Sequence, residues 1–386
     1  MAGSVAAFVF WFSAIALAFI YVGYPLLISV LSGRRSSFNA HPPREWPMTS
    51  VVLVVHNEMA HIAARLENLL ASDYPPECLE IIVVCDGSTD GTGDEIARVA
   101  DEKTRLVRQP ERRGKAAGLN AGVAEAKGEI VVFADARQSF SAQTIRWLVA
   151  SLTDPRVGAV SGELEIAGSD FGTGRGVDVY WRLERFLRAR EAALDSCIGC
   201  TGAVYAIRRA LFYPLPEDTI LDDVEIPMRI AVAGNRVAFC DEARAFDPQR
   251  LDPATEARRK RRTLAGNFQM LFRHPAWLLP WRNRLWWQLA AHKYLRLAGP
   301  VLLAAVFVTS AALARSPLYL TAFVAQVVFY GMAAAGSRVR SPWLAVPAGF
   351  VFLNVNVIRA FWDYCRGRDL RSWKGAGEGK TDSSKR

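Results

Sequence analysis

Long apolar runs stand at both ends of the chain, and short stretches of alternating character fill the middle. Residues 5–31 carry no charge, and Arg34 and Arg35 follow at once. About 20 apolar residues cross the hydrocarbon core of a bilayer, so this run reads as a membrane anchor. A cleaved signal peptide fits less well, because the run is too long and lacks a basic leader and a small-residue cleavage site. Near the other end, 297–314, 317–336 and 342–358 are almost free of charge, separated by loops with Arg315 and then Arg338 and Arg340. The last of these is short and carries Asn354 and Asn356, a pattern that also suits a re-entrant segment. Since positive flanks stay in the cytoplasm, the chain after Arg34 is expected inside and the N-terminus outside. Three terminal crossings would then put the basic tail outside, against the same tendency, so its side stays open. Just before these runs, 268–292 mixes Trp277, Trp281, Trp286 and Trp287 with Arg273, Arg282 and Arg284. Amphipathic rings among basic neighbours predict a helix lying in the headgroup layer.

Between the apolar ends, 50–55, 81–85, 105–107 and 130–133 are short, β-branched strands, with helical stretches at 60–70, 94–100 and 115–126. Such alternation predicts a mostly parallel sheet covered on both faces. Ligands of these sheets bind beyond the carboxyl ends of the strands. Those ends carry His56, Asn57 and Glu58, then Asp86, then Asp135. A dinucleotide fold needs a glycine-rich turn after the first strand and a P-loop needs GxxxxGK[ST]; the chain has neither.

Composition adds limits. The 386 residues carry 47 basic and 38 acidic side chains, a formal charge of +9, with 51% apolar and 22% charged residues. That excludes a disordered chain and suits one that is part aqueous and part lipid-embedded. The basic surplus gathers beside the apolar runs, as membrane topology requires, so no nucleic-acid partner is expected. Six irregularly spaced cysteines make no disulfide framework. Cys197 and Cys200 lack the second pair or histidines of a zinc site and read as small packing residues. His61, on an amphipathic stretch, reads as structural.

In order along the chain stand VVLVVHNE, VCDGSTDGT, RRGKAAGLNAG, FADAR, GCTGAVYAIRR, LDDVE and RRKRRT. This series resembles the membrane-embedded family 2 glycosyltransferases, to which cellulose, chitin, hyaluronan and poly-N-acetylglucosamine synthases belong. The resemblance implies an α/β fold in which a GT-A-like (Rossmann-like), mostly parallel sheet domain is joined to α-helical transmembrane segments. The divisions are an anchor at 1–32, the glycosyltransferase domain at 48–267, the interfacial region at 268–292, about three transmembrane helices in 293–362 and a basic polar tail at 363–386. It further implies an integral protein of the plasma or inner membrane, with its catalytic domain in the cytoplasm. The implied reaction moves a sugar, with inversion, from a UDP-linked nucleotide sugar onto a growing polysaccharide. Two other readings stand beside it. Transfer of one sugar to a lipid acceptor is favoured by Thr263 and the small span count, and an inactive scaffold only by an altered Asp-X-Asp motif.

The same resemblance assigns the site residue by residue. Inversion in one displacement requires a carboxylate that takes the acceptor's proton, and the last place of the Thr-Glu-Asp motif, here Leu221, Asp222 and Asp223, gives Asp223 that role. Asp222 either caps the helix that starts there or faces the acceptor. His56, Glu58, Asp86 and Lys115 would bind the nucleotide. Asp135 would hold Mg2+ or Mn2+ and touch the sugar phosphate. The triplet Asp135, Ala136, Arg137 lacks the second acid. Either Asp135 binds the metal together with diphosphate oxygens and water, or Arg137 itself carries part of the charge stabilisation. In RRKRRT, Arg259 stands at the glutamine, Arg262 at the arginine and Thr263 at the tryptophan of a Gln-X-X-Arg-Trp motif, which puts Arg259 and Arg262 by the donor. Arg258 and Lys260 are free to serve a basic patch on anionic lipid. Gly199, Cys200, Thr201 and Gly202 would receive the acceptor sugar. The expected partners are a nucleotide sugar, a carbohydrate or lipid-linked acceptor, membrane lipids and export subunits of unknown kind.

Overall fold

Runs of valine and isoleucine that can be buried on both faces form the centre of an eight-stranded sheet in the computed structural model, which describes residues 2–33, 40–166, 175–248, 253–336, 339 and 341–368. Arg34, Arg35, Arg338, Arg340 and the tail from 369 onward, on which the flanking-charge and tail expectations rest, lie outside the described residues. The strands are β1 (Thr49–Val55), β2 (Leu79–Asp86), β3 (Thr104–Gln109), β4 (Ile130–Ala134), β5 (Ser139–Phe140), β6 (Val157–Ile166), β7 (Val204–Arg208) and β8 (Arg236–Asp247). Their spatial order is β3-β2-β1-β4-β7-β6-β8-β5. β1 pairs in parallel with β2 and β4, β2 with β3, and β6 with β8; β7 runs antiparallel to β4 and β6, and β5 antiparallel to β8. The mostly parallel sheet expected from the sequence is therefore present, with an antiparallel half that was not legible there.

The chain folds as two compact units, one covering Arg35–Ala167 and Glu191–Thr255 and the other Met1–Arg34, Gly168–Arg190 and Glu256–Arg368. In the sheet unit the helix Met59–Leu70 turns Ile62, Leu66 and Leu69 onto one face, where they join Val51, Leu53, Val55, Ile81 and Val83 in the core. Alternate residues of β1 face the other way, toward the helix Lys115–Glu125, as a period of two requires. The strand order reverses between β1 and β4, a topological switch point, and ligands of such sheets bind beyond the carboxyl ends of the strands there.

In the helical unit, three helices among the described residues are long and apolar enough to cross a membrane: Gly3–Ser32, Pro317–Gly336 and Trp343–Cys365. A fourth span exists if the pair Trp286–Leu297 and Gly299–Ala312, bent by 59°, counts as one. Gly299 and Pro300 sit at that break, where proline supplies no N–H and crowds the residue before it. The run read as short and weak continues as one helix, Pro342–Cys365. Its asparagines are accommodated because Asn354 and Asn356 donate to the carbonyls of Phe350 (2.9 Å) and Phe352 (2.8 Å) in their own helix. The single interfacial helix expected over 268–292 is instead broken. It comprises the end of Pro253–Arg273, a tight turn Pro275–Leu278 and a new helix from Trp286. Pro275 and Pro280 interrupt the backbone ladder there. On the helix Arg175–Leu194, Glu184 meets His292 Nε2 at 3.1 Å, Lys293 Nζ at 3.5 Å and Arg296. Burial alone would raise that carboxyl's pKa, but Lys293, His292 and Arg296 together bring it well below the usual range.

Candidate active site

The loops that leave β1 and β2 are laced together by short side chains. Asn57 donates its N–H to Ser88 Oγ (3.1 Å) and accepts from the N–H of Thr89 (2.8 Å), while Glu58 N–H donates to Thr92 Oγ1 (2.9 Å). Asp90 accepts from the N–H of Thr92 (3.0 Å) and of Met59 (3.2 Å). Slight burial opposes ionisation of Asp90, but the bonds from Thr92 and Met59 outweigh it and lower its pKa. The glycine-rich segment after β2 thus fixes the direction in which Glu58 leaves β1.

Asp86, at the end of β2, is buried and accepts from the N–H groups of Arg113 (2.7 Å) and Gly114 (2.9 Å). Its carboxylate holds the turn that begins the helix Lys115–Glu125, and its backbone carbonyl meets His56 Nδ1 at 2.7 Å. Asp86, expected at the nucleoside, is engaged here in anchoring this turn; a carboxylate has room for about four hydrogen bonds. Gly87 makes the turn possible, with φ +58° and a position where a Cβ would lie 2.4 Å from Arg112 N.

Three separate segments meet at the ammonium of Lys115, whose Nζ lies 3.1 Å from Asp135 Oδ1 and 3.3 Å from Asp222 Oδ2. Asp222 and Asp223 open the helix Asp222–Val232, where the N-terminal dipole favours negative charge. Leu221 is the capping residue of this helix, so Asp222 is not the N-cap. Expected to face the acceptor, Asp222 is instead buried at 3% exposure and engaged by Lys115. Asp223 is half-buried. Its backbone carbonyl accepts from Cys200 N–H at 2.7 Å, which docks the segment Gly199 to Gly202 onto the start of the helix. A Cβ on Gly202 would stand 3.0 Å from Asp223 Oδ2, so the absence of a side chain keeps the space beside that carboxylate clear. Thr201 N–H donates to Ser161 Oγ (3.0 Å) and fixes the other end of the segment.

Arg137 forks onto Glu58: its Nε lies 2.8 and 3.0 Å from the two carboxylate oxygens and its Nη2 lies 2.8 Å from Oε1. His61, read as structural, also reaches Glu58, with Nδ1 3.1 Å from Oε2. Among the described residues no three His, Cys, Asp or Glu side chains gather in a way that could hold a metal ion. Asp135 is the carboxylate that the resemblance assigns to a divalent cation, and it is paired with Lys115, an ammonium that Asp222 also meets; an ion held there would be completed by substrate phosphate oxygens. Arg259 and Arg262 lie, half-buried, on the helix Pro253–Arg273 in the helical unit. Beside them Arg261 pairs with Asp363.

Two residues of this site were missed in the sequence. Arg65 is buried behind the rim, where its Nε donates to the carbonyl of Asp135 (3.1 Å) and its guanidinium lies 4.2 Å over the Phe140 ring. Burial pulls its pKa down to about 9 against the opposing pull of Asp135. The signal was available, because an arginine three residues after Ile62 falls on the apolar face of its helix. Tyr205, on β7, is fully buried and stacked on Phe133 at 4.6 Å, and its hydroxyl makes no hydrogen bond among the described residues. Burial raises the phenol's pKa well above its usual value, and Asp222, Asp223, Cys200 and Asp135 push the same way.

Carboxylates gathered at the strand ends beside the switch point, with a small-residue segment next to one of them, form the kind of place where open α/β sheets bind ligands. Residues 50–213 match the Glycosyl transferase family 2 model, and the chain carries a family 2 glycosyltransferase domain. A solved structure of the mannosyltransferase PcManGT from Pyrobaculum calidifontis, in complex with GDP-Man and Mn2+, is similar over 92% of this chain and 99% of its own, at 28% identity and a TM-score of 0.69. Poly-beta-1,6-N-acetyl-D-glucosamine synthase of Staphylococcus aureus is 25% identical over 49% of this chain and 47% of its own length. Beta-monoglucosyldiacylglycerol synthase of Nostoc sp. is 28% identical over 48% and 41%. The chain spans about half the length of the curated relatives it matches.

Proposed function

We propose that the chain transfers a sugar, with inversion, from a nucleoside diphosphate sugar to a glycan growing at the membrane. The observation that carries this reading is the junction at Lys115, which draws Asp135 and Asp222, 87 residues apart in number (222 − 135), to one ammonium beside Asp223. In the reaction, Asp223 accepts the proton of the acceptor hydroxyl as that oxygen bonds to the anomeric carbon. The bond from that carbon to the phosphate oxygen breaks on the opposite face, and the nucleoside diphosphate leaves with the electron pair. The helix start around Asp223 favours its ionised form, as a base requires. Gly202 leaves room for a flat ring beside it, and Lys115, fixed by the turn that Asp86 holds, offers its charge to the diphosphate. A divalent cation held by Asp135 and the diphosphate would neutralise further charge on the leaving group; the Mn2+ in the similar mannosyltransferase supports its use. The roles of Arg259 and Arg262 rest on the resemblance alone. We place the sheet unit in the cytoplasm, on the positive flank of the first span.

Similarity to the poly-N-acetylglucosamine synthase supports a polymer product. A second reading, transfer of one sugar to a lipid, is favoured by Thr263 at the tryptophan position and by similarity to the glycolipid synthase. Membranes holding the full chain, incubated with radiolabelled UDP- and GDP-sugars, separate the readings by product size: a polymer supports the first and a lipid-soluble glycoside the second. Asp223→Asn is expected to abolish transfer while nucleotide affinity, measured by titration, survives. Transfer retained in that variant would remove Asp223 from its role.

A further inference from the structure

Two cationic side chains at the strand-end rim, Lys115 and Arg137, are each held by a carboxylate. Asp135 shares its Oδ1 with the ammonium of Lys115 at 3.1 Å. Two residues on, where the resemblance expects a second carboxylate, stands Arg137, gripped by Glu58 along its Nε and Nη2 edge. Both members of that pair are largely shielded from water, with side-chain exposures of 16% and 9%. A divalent cation approaching Asp135 therefore meets a carboxylate already paired with an ammonium, which Asp222 also engages, and the described residues contain no cluster of three ligating side chains that could hold the ion. Hard divalent ions need about six oxygen ligands, and like charge within a few ångströms weakens their binding. A guanidinium is permanently charged and planar, which suits it to bidentate contact with phosphate, and one held in place by a carboxylate loses less freedom on binding.

We infer that Arg137, held by Glu58, is a diphosphate-binding residue that takes over charge a second metal ligand would otherwise handle through the ion. The protein alone then has little affinity for a divalent cation, and the nucleoside diphosphate binds largely without one. This deepens the nucleotide-sugar reading and rests on it.

The test uses the full chain in detergent, with UDP and GDP as probes, titrated calorimetrically in Mn2+ and in EDTA, and with Mn2+ alone followed by electron paramagnetic resonance. The wild type is expected to lose no more than about tenfold in affinity for the better nucleotide when Mn2+ is removed, and to bind Mn2+ alone without saturation. Arg137→Asp, which sets two carboxylates side by side, should bind Mn2+ without nucleotide and lose about a hundredfold in nucleotide affinity in EDTA, the scale of a lost charge-assisted contact. Arg137→Lys keeps the charge without the fork and should fall between the two, and a melt matching wild type shows that each variant is folded. The inference is overturned if wild-type affinity collapses in EDTA by a hundredfold or more, if Mn2+ alone binds the wild type tightly, or if Arg137→Asp behaves as wild type. Binding of neither nucleotide under any condition overturns the nucleotide-sugar reading, and this inference with it.

Discussion

Gly202 and Tyr205 are three residues apart, and their side chains, one absent and one large, bear on the same carboxylates. A methyl group at Gly202 would stand 3.0 Å from Asp223 Oδ2 and 3.3 Å from its Cβ, so in Gly202→Ala the base must give way by a few tenths of an ångström. A shift of about 1 Å at a reacting group costs roughly a hundredfold in rate. The smaller shift at Gly202→Ala is therefore expected to lower kcat by a part of that factor, about severalfold, with an unchanged melting temperature; an unchanged kcat would show that the acceptor does not pass here. Tyr205 contributes differently. Its folded pKa is raised, so the stability it supports is fully present below the unfolded value near 10 and is lost as pH rises above it. Because the hydroxyl makes no hydrogen bond among the described residues, Tyr205→Phe should change stability near pH 7 by less than about 1 kcal/mol. The same variant should flatten the loss of melting temperature above pH 10, and an identical alkaline limb in both proteins would contradict the burial argument.

Elements meet through buried charge in the helical unit. Glu184 is shared by His292, Lys293 and Arg296, and removing one member of a buried ionic group costs about 3–5 kcal/mol because the others keep their desolvation penalty. Glu184→Gln is expected to destabilise the detergent-solubilised chain by an amount of that order, read as a lower melting temperature. A melt within a degree of wild type would mean that solvent reaches the cluster. The strands β1 to β4 and the helices between them were legible because periods of 2 and 3.6 residues are written locally in valines, isoleucines and small side chains. The expected strand at 50–55 is Thr49–Val55, and the expected helix at 115–126 is Lys115–Glu125. The strands β5 to β8, of which β5 and β7 run antiparallel to their neighbours, were not legible, since their partners are fixed by long-range register and the local pattern names none. Interruption of the Trp-rich region was signalled by Pro275 and Pro280, but charge and aromatic content outweighed them in the sequence reading.

At the scale of the whole molecule, three or four apolar helices among the described residues accompany the domain that matches the family 2 model. Exposed along these helices are Phe8, Phe12, Val301, Val308, Leu318 and Trp343, side chains that water would not tolerate in such density. Each helix satisfies its own backbone polar groups, the condition for crossing hydrocarbon. The full chain is expected to stay in the membrane pellet through an alkaline carbonate wash and to leave it only with detergent. Release by carbonate alone would mean that the helices lie on the surface or pack against another protein.

The sequence by itself determined where the apolar runs lie, which residues end the parallel strands, and that Glu58, Asp86 and Asp135 belong at one rim, because hydrophobic period and strand-end chemistry are local properties. Only the tertiary structure decided how those charges are partnered. It set Arg137 on Glu58, placed Lys115 between Asp135 and Asp222, turned Asp86 to hold a backbone turn and kept a clear space at Gly202 beside Asp223. The physical reason is that an ion pair depends on distances of about 3 Å between residues far apart in the chain, and only the packing of elements sets those distances.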